Sequence, residues 1–362
     1  MPPSPPRRTT LRGLLLLAIA CAPAAAPRSA TTEAGRYTNP VVDEDFPDPT
    51  VIRASDGWYY AYATQTEREG RTINVQVMRS LDLARWQHLG DALPAKPGWA
   101  DSTQDFWAPH VSEHRGTFYL YYSAKPDAAL ADTSRGLCLA VATAPRAAGP
   151  FVDVGRPLQC GPGFVNIDPM QFDDSATGKP LLYWGSGFGP IKVQELAADR
   201  ASFAPGSEAV ALVAPVTTSD ATDYRRLVEG AWVTYRAPWY YLFYSGDNCC
   251  GPRAHYAVMV ARSRAATGPF ETLDDAGRPR GVILARSEAW IAPGHNSVLR
   301  DARGDRWILY HAVNAKRPRA KPEDDVNTRR VFLMDRLAFR DGWPEVEGGR
   351  PSAGARPAPA TP

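Results

Sequence analysis

One pattern recurs five times along this chain and constrains the fold more than any other feature. In each repeat a turn with Gly, Pro or Asp leads into a strand rich in tyrosine and tryptophan, and the five strands cover 57–62, 116–122, 178–184, 238–244 and 305–311. A further apolar strand follows each of them, and helical periodicity is nearly absent. Four short strands in a period near 60 residues are typical of propeller blades. We predict an all-β fold, a five-bladed β-propeller whose blades are four-stranded antiparallel sheets.

The propeller is expected to occupy residues 38–347 as a single domain. Length alone would suggest two domains, but closed all-β folds often form one long domain. A β-sandwich is the alternative fold, although a sandwich does not require repeats. The segment 348–362 is rich in Pro, Ala and Gly, and is therefore expected to be disordered.

Residues 1–26 have the features of a bacterial export signal. Three arginines precede a short apolar run, and small residues follow up to Ala26. The run is shorter than the roughly 20 residues that a transmembrane helix needs. The residues before Cys21 resemble a lipobox, so a lipid anchor on Cys21 and plain cleavage near Ala26 both stay open. We expect a secreted, periplasmic or cell-surface protein without a transmembrane segment.

The charge balance excludes some partners, and the cysteines allow disulfides. The net charge is +2, with 41 basic and 39 acidic residues mixed along the chain, so no nucleic-acid partner is expected. In an oxidising compartment Cys138 and Cys160 could form a bridge. The adjacent Cys249 and Cys250 could be a disulfide, two free thiols or part of a loop wall.

Each repeat begins with a residue that could carry chemistry. These residues are Asp48, Trp107, Asp168, Glu229 and His295, spaced by 59, 61, 61 and 66 positions. The innermost strands of a propeller surround its axis, so residues at equivalent positions converge on one end of the central channel. Each alone has an ordinary structural explanation, such as a turn, the core or the surface. Clustered carboxylates, however, are costly to bury and are what acid–base catalysis requires.

At these residues the chain resembles family 43 of the glycoside hydrolases. Members of that family are five-bladed β-propellers that cleave arabinose- and xylose-containing polysaccharides with inversion. The resemblance covers residues 38–347 and rests on an ordered set of motifs at 39–41, 45–49, 106–110, 166–169, 228–230 and 293–295. The resemblance therefore implies a glycoside hydrolase.

The resemblance also implies a role for each site residue. Asp48 corresponds to the general base, Glu229 to the general acid, and Asp168 to the residue that orients the acid and raises its pKa. Further candidates contact the sugar: Trp107 beside the cleaved bond, Arg330 beneath the ring with Arg329 next to it, Asn166 in the motif of Asp168, and His295.

Calcium is a further expectation that rests on His295. In arabinan-cleaving members of the family, an axial histidine lies near a calcium ion or its waters. One imidazole is a poor predictor for an ion that prefers oxygen ligands, and a histidine hydrogen-bonded at the axis is the alternative. The hydrolytic chemistry itself requires no cofactor.

The mechanism agrees with the placement of the carboxylates. Inversion needs one carboxylate to activate water and one carboxylic acid to protonate the leaving oxygen, with the two groups about 6.5 to 9.5 Å apart. Blades one and four would place Asp48 and Glu229 across the channel at such a separation. Asp168, in the blade next to that of Glu229, would keep the acid protonated by like-charge proximity.

The substrate is predicted less specifically than the reaction. Segments 183–191, 247–251 and 258–263 resemble the arabinan-acting branch of the family, so an α-L-arabinofuranosidase or arabinanase acting on plant polysaccharide or its oligosaccharides is expected. A β-xylosidase acting on xylan-type substrates, a non-catalytic carbohydrate-binding propeller and a retaining fructoside-cleaving propeller are the alternatives. Exo or endo action stays open.

Overall fold

A computed structural model describes residues 1–4, 35–277, 281–319 and 328–361. Most of the predicted export signal, with Cys21, lies outside these residues. Within them, no helix is long and apolar enough to cross a membrane.

Strands dominate the described chain. In chain order they are β1 (Arg36–Tyr37), β2 (Thr50–Arg53), β3 (Tyr59–Ala63), β4 (Thr66–Arg68), β5 (Arg71–Ile73), β6 (Gln76–Ser80), β7 (Gln87–Asp91), β8 (Phe106–His114), β9 (Thr117–Ala124), β10 (Cys138–Ala144), β11 (Val152–Asp153), β12 (Gln159–Cys160), β13 (Met170–Asp174), β14 (Lys179–Trp184), β15 (Ile191–Glu195), β16 (Val210–Val213), β17 (Val228–Arg236), β18 (Trp239–Asn248), β19 (His255–Ser263), β20 (Glu271–Thr272), β21 (Val282–Leu284), β22 (Trp290–Arg300), β23 (Arg306–Asn314), β24 (Arg330–Arg340), β25 (Trp343–Val346) and β26 (Arg356–Pro357). One α-helix, α1 (Ala128–Ala131), and two short 3-10 helices, Tyr224–Arg226 and Glu347–Gly349, complete the elements of the described residues.

These strands form the predicted five-bladed propeller. The blades, in order, are β2-β3-β6-β7, β8-β9-β10-β11, β13-β14-β15-β16, β17-β18-β19-β20 and β22-β23-β24-β25. All their pairings are antiparallel, as predicted. In blades two and four, β12 and β21 add a short outer strand beside β10 and β19. The hairpin β4–β5 projects from blade one.

The aromatic strands are the second strands of the blades, and their composition follows from their position. All five residues of β3 are buried, as are eight of the ten residues of β18, from Tyr240 to Asp247. A strand covered on both faces by neighbouring blades has no polar face, which explains the absence of alternation. The core therefore lies between the blades.

A tyrosine on the second strand of each of the first four blades bonds to the next blade. Its hydroxyl donates to a carbonyl in the turn between the third and fourth strands there. The bonds are Tyr62 to Ala147 (2.7 Å), Tyr121 to Arg200 (3.0 Å), Tyr183 to Ala266 (2.7 Å) and Tyr241 to Gly342 (2.7 Å). The repeated aromatic strands thus supply both the apolar contact and a hydrogen bond between blades.

A different contact closes the ring between blades five and one. The segment that precedes blade one runs along β24, where the amides of Val42 and Phe46 donate to Phe332 and Arg330 at 3.3 and 2.8 Å. The buried side chain of Asn39 exchanges hydrogen bonds with the main chain of Met334 at 2.9 and 3.0 Å. No loop connects these two blades, so the N-terminal segment joins them.

The C-terminal segment is ordered, and the expectation of disorder from Gly348 onward is wrong. Strand β26 pairs with β1, and the amide of Ala360 donates to the Asp301 carboxylate at 2.9 Å. Ser352 bonds to Asn39 and to Asp335. Composition predicted disorder because Pro, Ala and Gly bury little surface, but the segment supplies donors to carboxylates that the propeller buries.

Both cysteine pairs are disulfides. Cys138 and Cys160 face each other on β10 and β12. Cys249 and Cys250 are bonded to each other in the loop after β18.

Replacing Tyr183 by Phe tests the contribution of the tyrosine bonds. The change removes only the hydroxyl and leaves the buried carbonyl of Ala266 without its donor, so we expect the free energy of unfolding to fall by about 1–3 kcal/mol. Urea unfolding measures the loss. Tyr244→Phe is the matched control, since the hydroxyl of this buried tyrosine makes no hydrogen bond within the described residues. Equal losses in the two variants would contradict the assignment.

Candidate active site

In every blade a residue with left-handed backbone lies two positions before the regular pairing of the innermost strand with the second strand begins. These residues are Asp48, Ala108, Asp168, Gly230 and His295, with φ of 55°, 47°, 58°, 64° and 48°. They recur at intervals of 60, 60, 62 and 65 positions. The equivalence predicted from sequence is therefore off by one residue in blades two and four, because Trp107 and Glu229 precede the left-handed position. In blades two, four and five the pairing register shifts across the left-handed residue, whereas in blades one and three the pairing begins two residues after it.

In four of the five blades, the amide of the left-handed residue donates a hydrogen bond to a side chain of the preceding blade. Blade five is the one that precedes blade one in the ring. The bonds are Asp48 to His311 Nδ1 (3.0 Å), Ala108 to Thr64 Oγ1 (2.8 Å), Gly230 to Asp168 Oδ2 (2.8 Å) and His295 to Ser245 Oγ (2.8 Å). Left-handed backbone turns the amide of the residue out of the ladder of hydrogen bonds between strands, so these amides need other acceptors. Glycine adopts this conformation without strain, so Gly230 suits the position. A residue with a Cβ would be strained here, and its Cβ would also lie 3.4 Å from His295 Nδ1.

A cleft of about 1400 Å³ opens at this end of the channel. Every blade contributes to its lining. The predicted residues among the lining are Asp48 of blade one, Trp107 of blade two, Asp168 of blade three, Glu229 of blade four, and His295 and Arg330 of blade five. The structure thus brings together six of the seven residues predicted from sequence.

Asp48 is held as a carboxylate. Its Oδ1 accepts from Arg330 Nη1 at 2.7 Å and its Oδ2 from Thr64 Oγ1 at 2.6 Å. Burial by itself would raise its pKa, but the positive charge of Arg330 is the largest opposing influence, and the pKa of Asp48 is lowered to about 2. Because Thr64 Oγ1 accepts from the Ala108 amide, its proton points at Asp48.

Arg330, and not Arg329, is the arginine at this site. Arg329 turns to the rim and pairs with Asp43 at 2.8 Å. The main-chain amide of Arg330 donates to Asp45 Oδ1 at 3.0 Å. Burial raises the pKa of Asp45 even though Arg330 lies beside it.

Glu229 is held as an acid. Its Oε2 accepts from Ser186 Oγ at 2.6 Å and its Oε1 from Tyr256 Oη at 2.8 Å. Burial is the largest influence and raises the pKa of Glu229 to about 7, while the two hydroxyls oppose this rise and the charge of Asp48 supports it. Two hydroxyl donors also fix the direction of the carboxyl group.

Asp168 lies near both Asp48 and Glu229. Its Oδ2 accepts from the amide of Gly230, the residue that follows Glu229, at 2.8 Å. Burial first, and the nearby Glu229 and Asp48 next, raise the pKa of Asp168 well above its usual value. The pair Asp168 and Glu229 therefore holds a proton near neutral pH.

The two axial histidines are neutral. Burial, followed by Arg330, lowers the pKa of His311 well below its usual value, and its Nδ1 accepts from the Asp48 amide. Burial also lowers the pKa of His295, whose Nδ1 lies 3.6 Å from Asp48 Oδ1 and 3.9 Å from Asp168 Oδ2. Neutral rings place no fixed charge against the base.

The side chains around His295 do not by themselves form a calcium cage. Calcium takes about six to eight oxygen ligands. Within the described ranges no group of three or more His, Cys, Asp or Glu side chains could hold a metal ion. Calcium at the axis stays a prediction.

Asn166 does not reach the cleft. It is 1% exposed, and its Oδ1 accepts from the indole of Trp184 at 3.2 Å. The sequence placed it with the substrate-binding residues because it shares a motif with Asp168, but the chain turns between them. Trp107 is half-buried on the cleft wall.

Sequence reasoning missed the polar residues that support the carboxylates. These are Thr64, Ser186, Tyr256 and His311. A signal for two of them exists, because Thr64 and Ser186 stand just after aromatic strands, where a polar residue ends an apolar run.

Comparison with known proteins agrees with this geometry. Residues 37–344 match the family described as Glycosyl hydrolases family 43. The chain belongs to this family. It is accordingly a glycoside hydrolase with the five-bladed fold described above.

Individual relatives are similar over most of their length. An extracellular exo-α-(1→5)-L-arabinofuranosidase, ArbA, of Cellvibrio japonicus is 25% identical over 84% of this chain and 86% of its own. An arabinan endo-1,5-α-L-arabinosidase C of Emericella nidulans is 30% identical over 81% of this chain and 89% of its own. The crystal structure of a thermostable family-43 glycoside hydrolase superposes with a TM-score of 0.69 at 27% identity, covering 90% of this chain and all of that one.

The opposite protonation states of Asp48 and Glu229 predict a bell-shaped pH profile. Hydrolysis needs Asp48 ionised and Glu229 protonated, so kcat/KM should fall as pH rises through about 7 and should hold on the acid side until pH approaches about 2. Initial rates at low substrate concentration across the range in which the protein stays folded measure both limbs.

The basic limb should respond to Tyr256. Its hydrogen bond favours ionised Glu229, so Tyr256→Phe raises the pKa of Glu229 and moves the basic limb to higher pH. Tyr244→Phe should leave the limb in place. A basic limb that stays unchanged in Tyr256→Phe would show that Glu229 does not set it.

Proposed function

We propose that this protein hydrolyses arabinose-containing polysaccharide or its oligosaccharides with inversion, using Asp48 as general base and Glu229 as general acid. The observation that carries the proposal is the opposite protonation of two buried carboxyl groups in one cleft. The pKa of Asp48 is about 2 and that of Glu229 about 7. Two carboxyl groups whose environments separate their pKa values are what acid–base hydrolysis of a glycoside requires.

The base side of the reaction belongs to blades one and five. A water between Asp48 and the sugar gives its proton to the carboxylate while its oxygen bonds to the anomeric carbon. Thr64 and Arg330 occupy one lone-pair direction of each carboxylate oxygen and so orient the group. A separation of about 6.5 to 9.5 Å between the two carboxyl groups stays a prediction of this mechanism.

The acid side belongs to blades three and four. As the glycosidic carbon–oxygen bond breaks, Glu229 passes its proton to the leaving oxygen, so one water is consumed and no charge is left over. Asp168 acts as a positioning residue. It fixes the Gly230 amide next to Glu229, and the two carboxyl groups together hold a proton near neutral pH.

Arabinan is the substrate class that the relatives favour. ArbA of Cellvibrio japonicus is named for exo action on α-(1→5)-linked arabinose, and the Emericella nidulans relative for endo action on arabinan. The word extracellular in the name of ArbA supports export of this chain as well. Trp107 and the aromatic residues of the cleft wall suit the apolar faces of sugar rings.

Isosteric replacement of the two carboxyl groups tests the catalytic assignment. Asp48→Asn and Glu229→Gln keep the shape but remove proton transfer, so each should lower kcat on arabino-oligosaccharides by about 100-fold or more. Glu44→Gln, at the rim of the same cleft, is the control and should stay within about fivefold of wild type. Wild-type rates in both catalytic variants would favour a non-catalytic sugar-binding propeller.

The anomeric configuration of the first product distinguishes inversion from retention. We expect the product to appear with the configuration opposite to that of the substrate, as proton NMR during the first turnovers would show. Retained configuration would favour a fructosidase-like nucleophile. A screen on arabino- and xylo-configured substrates then tests the β-xylosidase alternative, and product lengths from linear arabinan distinguish exo from endo cleavage.

Calcium at the channel axis remains part of the proposal. If calcium lies near His295, a chelator should lower activity and added calcium alone should restore it, while His295→Ala should abolish that response. Activity that is indifferent to chelation removes calcium from the site.

A further inference from the structure

One wall of the cleft contains a covalent feature that the hydrolytic chemistry does not use. Cys249 and Cys250, bonded to each other, lie in the loop between β18 and β19 of blade four. Both residues line the same cleft as Asp48 and Glu229, and both are half-buried, so the disulfide-bonded pair belongs to the cleft wall.

The disulfide lies next to the support of the acid. Cys249 packs against the small apolar cluster of Tyr256, Ala292 and Val313. Tyr256 in turn donates to Glu229 Oε1 at 2.8 Å. A general acid protonates the oxygen of the leaving group, so the sugar beyond the cleaved bond lies on the side of Glu229. The disulfide therefore borders the place of the leaving group.

Hydrogen bonds hold the loop on both sides of the disulfide. The side-chain amide of Asn248 donates to the carbonyls of Cys250 and Arg253 at 2.8 and 3.0 Å. The amide of Gly251 donates to Thr328 Oγ1 of the segment before β24, at 3.3 Å. The ring closed between adjacent cysteines also has no free side-chain rotamers. A ligand that packs against it loses little ordering entropy.

We propose that the Cys249–Cys250 disulfide is a contact surface for the leaving-group sugar. Disulfide sulfur is polarizable and apolar, and lacks hydrogen-bond donors that would have to be satisfied. It can pack against the C–H face of a pentose ring as an aromatic face does, from a rigid position. The proposal rests on the proposed function, because it requires a sugar chain in the cleft.

The contact forms before the reaction and does not change during it. Removing it should therefore raise KM and leave kcat nearly unchanged, as loss of uniform binding does. The effect should appear only with substrates that have a sugar in the leaving group. A 4-nitrophenyl arabinoside, whose leaving group is not a sugar, should be affected less than twofold.

The test compares Cys249→Ser/Cys250→Ser with Cys138→Ser/Cys160→Ser in the full chain. The second pair removes the disulfide that does not line the cleft and serves as the matched control. On linear arabino-oligosaccharides the first variant should raise KM about three- to tenfold and the control should not. Unchanged KM in the first variant, or an equal loss on the nitrophenyl substrate, overturns the proposal.

A second measurement keeps the test valid if the first variant folds poorly. Dithiothreitol applied to folded Cys138→Ser/Cys160→Ser gives two electrons and two protons to the Cys249–Cys250 bond and yields two thiols. The same rise in KM is expected, and it should reverse on reoxidation. If reduction is complete and KM stays the same, the proposal is wrong. Failure of the wild type to cleave any arabino- or xylo-substrate would refute the proposed function instead.

Discussion

The site depends on one backbone feature, the left-handed residue near the start of each innermost strand. At this residue the strand leaves its ladder, and in four of the five blades the amide of the residue donates to an acceptor on the adjacent blade. Because each acceptor belongs to a different blade, the arrangement of the blades and the direction of the functional side chains are set together. A shift of one blade against the next would therefore misplace the carboxylates as well as break a hydrogen bond.

The contacts of three similar side chains at this site give them different pKa values. Asp48, Asp168 and Glu229 are all buried, and burial alone would raise the pKa of each. They differ in the partners that the neighbouring blades offer. Blade five gives Asp48 a guanidinium, whereas Glu229 receives two neutral hydroxyls and Asp168 a main-chain amide. A cation outweighs desolvation and neutral donors do not, so the pKa of Asp48 is lowered while the pKa of Glu229 is raised.

The sequence predicts the repeats well because burial on both faces leaves a visible mark, an unbroken aromatic strand. It predicts the convergence of Asp48, Asp168 and Glu229 for the same reason. The offset of one residue at Trp107 and Glu229 was missed because the left-handed positions in those blades are Ala108 and Gly230, and backbone conformation leaves no mark in composition. Asn166 was misplaced because a motif does not show on which side of a turn a side chain lies.

The sequence did not predict that the C-terminal segment is ordered, because the partners of this segment lie far away in sequence. Its contacts are with β1, Asn39 and Asp301, each contributed by another part of the ring. The composition of a segment indicates only how much surface the segment can bury by itself. It does not show the hydrogen-bond acceptors on the propeller to which this segment donates.

The closure between blades five and one has a consequence for the chemistry. Arg330 stands on one side of this seam and Asp48 on the other, and the chain does not run directly from one blade to the other. The strength of the base is thus a property of the closed ring. If this seam opened, every blade could stay intact while the pKa of Asp48 rises. Catalytic competence and secondary structure can therefore change independently of each other in this fold.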